Sequence, residues 1–166
     1  MQTLTIPESR VEGLEPMTPK AINAQSRGLT IKNSHLEEIT DKYDFVSLIH
    51  VFSHIPDFRV FLPKIKNVMK KNGEFIFETG NIGDLEKEIQ VPSELDLPDH
   101  LVFAGEKHLV GYLTEAGFSD IKIKRYRKDT LFNFSKNIIK KILGRKVYLK
   151  LPYTSPYRSI LIRAKL

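Results

Sequence analysis

The sequence contains no cysteine, which excludes a disulfide framework, thiolate metal sites and a cysteine nucleophile. It has no apolar run approaching the roughly 18–20 residues that a membrane-crossing helix needs. The opening residues, MQTLTIPESR, offer neither the basic leader nor the apolar core of a secretory signal. Acid is nearly missing from one end: residues 122–166 hold a single acidic residue, Asp129, against 14 Lys and Arg, a balance of +13. Residues 1–121 carry 12 Lys and Arg against 19 Asp and Glu, a balance of −7. The overall charge of +6 therefore belongs to the C-terminal quarter, an asymmetry that suits an anionic partner at that end. What is present is an ordinary core: 41% of the 166 residues are hydrophobic, enough for one domain. These features lead us to expect a cytoplasmic protein, peripheral to a membrane at most.

Along the chain, strands alternate with helices. Arg10–Glu15 reads as a short strand ending in an acid. Pro16 and Pro19 suit the turn and helix start that follow, since proline lacks the N–H that is unpaired there anyway. Thr18 is a candidate N-cap, and Gly28 a stop near Arg27. Ala21, Ile22 and Ala24 would face inward. Leu29–Ile31 is a second short strand, and residues 33–40 a polar loop. Asp44–Ile49 is almost continuously apolar, the pattern of a strand covered on both faces. Phe58, Phe61, Leu62, Ile65 and Met69 recur at helical spacing, which predicts a helix over 56–71 broken by Asn72-Gly73. Glu74–Thr79 is the next strand. Residues 80–104 form a long irregular insertion, a length usually given to lids or binding loops. A helix over 105–116, a strand over 118–126, an amphipathic helix over 132–143 and a closing strand over 157–164 complete the pattern. Such alternation predicts an α/β sheet, mostly parallel, with helices on both faces.

The segment YDFVSLIHVFSHIPDFRVFLPKIKNVMKKNGEFIFETGN, residues 43–81, resembles the fourth and fifth strand region of small-molecule class I S-adenosylmethionine-dependent methyltransferases. Tyr43-Asp44 stands at the aromatic-Asp start of that pattern. His50-Val51-Phe52-Ser53-His54-Ile55 stands at its His-rich switch loop, and Lys71-Asn72-Gly73 at its helix end. VEGLEP (11–16) is similar to the family's second strand, HLVFAGEKHLVGYLTEAGFSDIKI (100–123) to its late helical segment, and PYRSILIRAKL (156–166) to its last strand. The resemblance covers about nine-tenths of the chain. It implies a Rossmann-like, mostly parallel sheet with an antiparallel final strand, flanked by helices, with the first strand of the usual seven missing. Residues 1–166 are then a single partial domain, with a lid insertion at 80–104 and a basic amphipathic insertion at 127–156. The family's first strand ends in a glycine-rich loop about 20 residues before the ribose-binding acid. Before Glu15 the only glycine is Gly13, inside the strand itself. Ser53 stands where the switch loop commonly has Glu.

The resemblance also implies functions for residues. Glu15 would accept hydrogen bonds from the vicinal ribose hydroxyls of S-adenosylmethionine, or else is a solvated strand-end acid. Pro16, Met17, Ser34, His35 and Leu36 would flank the adenine or simply pack. His50 and Val51 would line the cofactor site. His54 is either a general base for a substrate hydroxyl or a polar loop residue. His50 and His54 are four apart, yet they fall on a strand–loop junction with no third ligand nearby, so no metal site is expected. His100 and Phe103 would stand on the substrate side or pack within the insertion. There is no G-x-S-x-G elbow for a serine triad. The implied acceptor is a small molecule, or a glycan or lipid-linked hydroxyl. Without a glycine cradle the chain alone is expected to hold the cofactor weakly or not at all. The fold would then serve as a non-catalytic remnant or binding module. Residues 122–150 alternate lysines with aromatics and aliphatics, which fits either an anionic membrane surface or a solvated surface helix. No RNA-binding motif is present, and an exposed sheet edge could pair with another chain.

Overall fold

The computed structural model describes residues 11–84, 101–126, 130–147, 149, 151–152 and 159–166. Contacts divide the chain into two compact units, one ending at Asp41 and one beginning at Lys42. The first unit holds β1 (Gly13–Leu14), α1 (Thr18–Ser26), β2 (Ile31–Lys32) and a 3-10 turn at Leu36–Glu38. β1 and β2 pair in parallel, Gly13 opposite Ile31. A Cβ on Gly13 would stand 2.5 Å from Cδ1 of Ile31, so this glycine serves the close approach of the two strands. α1 buries Ala21, whereas Ile22, expected inward, is 59% exposed. Thr18 is not the N-cap: that position falls to Met17, which has no capping side chain, and the Thr18 hydroxyl instead donates to Oδ1 of Asn33 at 3.0 Å.

The second unit contains β3 (Tyr43–Ile49), a 3-10 turn at Phe52–His54, α2 (Phe58–Asn67), β4 (Met69–Gly80) and a 3-10 turn at Ile82–Asp84. α3 (Glu106–Glu115), β5 (Ser119–Tyr126), α4 (Leu131–Ile142) and β6 (Ser159–Lys165) follow. The sheet order is β3-β4-β6-β5. β4 runs parallel to β3, and β6 lies antiparallel between β4 and β5, so β3, β4 and β5 share one direction and only the final strand opposes it. This is the mostly parallel sheet with an antiparallel last strand that the sequence implies.

One sheet face makes the core. Phe75, Phe77, Ile160, Ile162 and Ala164 point into it, and α2 and α3 supply Phe58, Leu62, Ile65, Leu109 and Leu113. β3 does not meet the expectation of a strand covered on both faces. Among the described strands it stands at the end of the sheet order, and Phe45 and Ile49 remain 65% and 51% exposed on the face opposite the core.

Helix α2 begins where the Asp57 carboxylate accepts from the N–H groups of Arg59 and Val60 at 2.9 and 3.4 Å. It ends at Asn67, four residues before the expected stop. Val68 and Met69 are both buried, and Met69 already pairs with Tyr43. No helix can bury that consecutive pair and also feed the sheet, so tertiary pairing overrides the lysine-rich helical pattern. Residues 70–73 are absorbed in a bulge before Glu74 pairs with Phe45. Gly73 is needed there, because a Cβ would lie 2.9 Å from the Lys70 carbonyl oxygen and 3.2 Å from that of Tyr43.

Candidate functional site

In the first unit, β1 delivers Glu15 to the turn before α1. Its carboxylate Oε1 accepts from the Met17 N–H at 2.8 Å, which fixes one oxygen and the orientation of the group. The turn is stapled from β2: the Asn33 amide donates to the carbonyls of Glu15 and Pro16 at 2.9 and 3.1 Å. Asn33 thereby brings the Glu15–Met17 turn beside the loop that starts at Ser34. Ser34 and Leu36 are half-buried, and Pro16, Met17 and His35 are exposed. The Glu15–Met17 turn and the start of the Ser34 loop are thus held side by side. Asn33, which holds them together, was not picked out by sequence reasoning. Its polar-loop setting carries no signal until the fold shows what it bridges.

In the second unit, the C-terminal ends of the parallel strands β3 and β4 lie side by side, with Ile49 opposite Glu78. Open α/β sheets place ligands at this end. His50 leaves β3 with a φ of 56°, a left-handed backbone that is uncommon for a residue with a side chain. Its N–H donates to the Glu78 carbonyl at 3.1 Å, and its Nε2 stands 3.7 Å from the Glu78 carboxylate. Val51 is 41% exposed, and Phe52 is fully buried against the rings of Phe58 and Phe77. The switch loop is therefore anchored by an aromatic ring, leaving His50, Val51 and His54 facing outward. Glu78 is a polar neighbour that sequence reasoning missed, because within EFIFET it looks like an ordinary outward strand position.

The long insertion closes at its base. Leu101 and Val102 both donate their N–H groups to the Ser53 carbonyl, at 2.7 and 3.1 Å, which fastens the segment leading to Phe103 onto the switch loop. The Asp84 carboxylate accepts from the Glu106 N–H at 2.9 Å and so serves the start of α3. Gly83 and Gly105 allow this closure: a Cβ on Gly83 would come within 2.4 Å of the Gly105 nitrogen. Phe103 is half-buried beside the switch loop. His100 lies outside the described residues, as does most of the proposed lid.

A strand-end carboxylate fixed in this way is an acceptor for the two hydroxyls of a ribose diol.

A family profile described as a methyltransferase domain matches residues 7–123. Among solved structures, the chain is similar to a SAM-dependent methyltransferase of Archaeoglobus fulgidus, with a TM-score of 0.62, 20% identity and coverage of 93% of this chain and 75% of that one. It is similar to a SAM-dependent methyltransferase of Thermotoga maritima described as a possible histamine N-methyltransferase (TM-score 0.64, 19% identity, 93% and 72% covered). It also matches phosphoethanolamine N-methyltransferase 2 of Haemonchus contortus, solved with S-adenosyl-L-methionine (TM-score 0.69, 13% identity, 93% and 43% covered). At these identities the likeness shows a shared fold. No curated protein matches the sequence.

Proposed function

Because the chain belongs to the class I S-adenosylmethionine-dependent methyltransferase domain family, we propose that it serves methyl transfer to a hydroxyl of a small molecule or of a glycan or lipid-linked acceptor. The observation that carries this reading is Glu15: a strand-end carboxylate held by the Met17 N–H, on a turn stapled by Asn33, in a chain of this family. When bound, the cofactor supplies an activated methyl group on a sulfonium. Transfer of such a group is an in-line displacement, which depends mainly on alignment and exclusion of water.

In this reading Glu15 takes the ribose hydroxyls, while Pro16, Met17, Ser34, His35 and Leu36 flank the adenine. In the second unit, His50 and Val51 face the cofactor, with Glu78 beside His50 to orient its ring. His54, exposed on the switch loop, takes the proton from the acceptor hydroxyl. Phe103, fastened beside Ser53, stands on the substrate side, and His100 is assigned there from sequence. Residues 80–104 serve as the lid. Several structural neighbours are described as N-methyltransferases, so an amine acceptor is the competing outcome.

A second reading is a binding module that keeps the fold without turnover. Radiolabelled methyl transfer separates them. Label in an alkali-stable ether on a sugar hydroxyl supports the first, label on amines alone overturns the hydroxyl assignment, and no label supports the second. Glu15→Gln keeps an acceptor for the Met17 N–H but loses the charge. It should weaken S-adenosylhomocysteine binding about tenfold or more, since hydrogen bonds to a charged group contribute about 1.5–3 kcal/mol. Unchanged affinity would remove Glu15 from the site.

A further inference from the structure

Helix α4 is well bounded and turned the wrong way for a soluble surface helix. The Thr130 hydroxyl caps it by accepting from the Asn133 N–H at 3.3 Å, and Gly144, with a φ of 74°, follows its end. On a helical projection, Phe134, Ile138, Leu131, Ile142, Ile139 and Phe132 fall on one arc of about 180°. Lys141 borders one side of that arc and Lys136 the other, while Asn133, Asn137 and Lys140 lie opposite. Such an arc ordinarily packs on a core. Here no residue of α4 is buried: Ile142 is 79% exposed, Phe132 76%, Leu131 59% and Ile139 58%. The half-buried positions are Phe134, at one border of the arc, and Asn137 and Lys140 on the polar side. A contiguous exposed apolar patch marks an interaction surface.

The charge pattern selects the occupant. From Thr130 to Leu166 the sequence has nine Lys and Arg and no acidic residue. A second copy of α4 laid on the first would bring like charges together. A polynucleotide offers phosphates but no apolar phase for Phe132 and Ile142. A bilayer rich in acidic lipid offers both an acyl boundary for the arc and anionic headgroups for the flanking lysines. We propose that α4 is a membrane-docking helix, lying in the plane of an anionic bilayer surface with its apolar arc at the headgroup–acyl boundary. This surface stands apart from the catalytic reading and does not depend on cofactor binding.

The chain has no tryptophan, so Phe132→Trp places a single fluorophore on the arc. With vesicles of phosphatidylcholine containing about a third phosphatidylglycerol, its emission should shift to the blue, and the protein should float with the vesicles. Phosphatidylcholine alone should give neither result, and high salt should weaken both. Replacing the two flanking lysines, Lys136 and Lys141, by Ala should lower partitioning about twenty- to thirtyfold, at about fivefold per lysine near an acidic surface. Ile138→Ser with Ile142→Ser should abolish flotation while leaving the urea midpoint unchanged, because both side chains are exposed. The proposal is overturned by absent flotation at low salt, by equal binding to neutral vesicles, or by flotation that survives the double serine variant. It is equally overturned if the blue shift follows protein concentration without vesicles, or if the chain binds polyuridine and ignores vesicles.

Discussion

Phe52→Ala tests whether the switch loop is held by its aromatic anchor. The side chain is fully buried, its ring 5.4 Å from that of Phe77 and nearly parallel to it, with Phe58 packed on another side. Removing a buried Phe ring forfeits its transfer free energy and leaves a cavity, together about 3–5 kcal/mol. Lost edge and stacking contacts sit within that figure, since aromatic pairs contribute about 0.5–1.5 kcal/mol each and are not additive. Against a typical domain stability of about 5–15 kcal/mol, this is a large fraction. Phe52→Leu keeps most of the volume and should cost under about 2 kcal/mol. Urea unfolding followed by far-ultraviolet circular dichroism measures both. The mechanism also predicts a local effect. The N–H groups of His54 and Ile55 bond to the carbonyls of Val51 and Phe52, at 3.0 Å each, and in Phe52→Ala their hydrogen exchange should rise more than that of β4. A loss below about 1 kcal/mol, or exchange at residues 54 and 55 that merely tracks β4, would refute the anchoring argument.

Two further perturbations probe other parts of the second unit. Gly83→Ala forces a Cβ against the backbone of Phe103, Ala104 and Gly105, which cannot yield as a side-chain tip would. It should cost about 1–3 kcal/mol in the same denaturation assay and speed exchange at Leu101 and Val102; an unchanged midpoint would show that the insertion's base is loose. The Glu74 carboxyl is held below its ordinary value of 4.5 by the hydrogen-bonded Arg163 guanidinium, whose Nε lies 2.8 Å away. A lowered folded-state pKa means the stabilisation is fully present above the unfolded value and is lost as pH falls through the folded one. Wild type should therefore lose stability below about pH 4.5 more steeply than Arg163→Met; parallel acid profiles would show that the pair contributes nothing.

Much of the fold is legible in the sequence because burial imposes periodicity. The alternation in 119–126 survives with its start shifted by one residue, since one face decides the strand, and the helix over 131–142 is shifted by one residue although its apolar arc is exposed. Gly117, with a φ of 85°, stands just after α3 as a helix-stopping glycine should. The reading fails where long-range pairing decides. Lys64, Lys66, Lys70 and Lys71 look like the basic last turns of one helix, yet Met69 pairs with Tyr43, and Lys70 reaches Asp44 at 2.9 Å from within the sheet. Continuous apolar character in β3 suggested two covered faces, but Phe45 and Ile49 stay exposed on the face opposite the core, and what packs on a face is not encoded in the strand's own pattern. In the site, Glu15 was legible from its position before Pro16 and a helix. Asn33 and Glu78 were not, because their partners are a turn 17–18 residues earlier and a histidine on the neighbouring strand.

The central proposal is that this methyltransferase-family chain takes the ribose of S-adenosylmethionine on the Glu15 carboxylate. Amide chemical shifts recorded during a titration with S-adenosylhomocysteine test it most directly. The account predicts saturable shifts at Glu15, Met17 and Ser34–Leu36, and at His50 and Val51, that weaken in Glu15→Gln. Amides at those positions that stay still throughout the titration would contradict it.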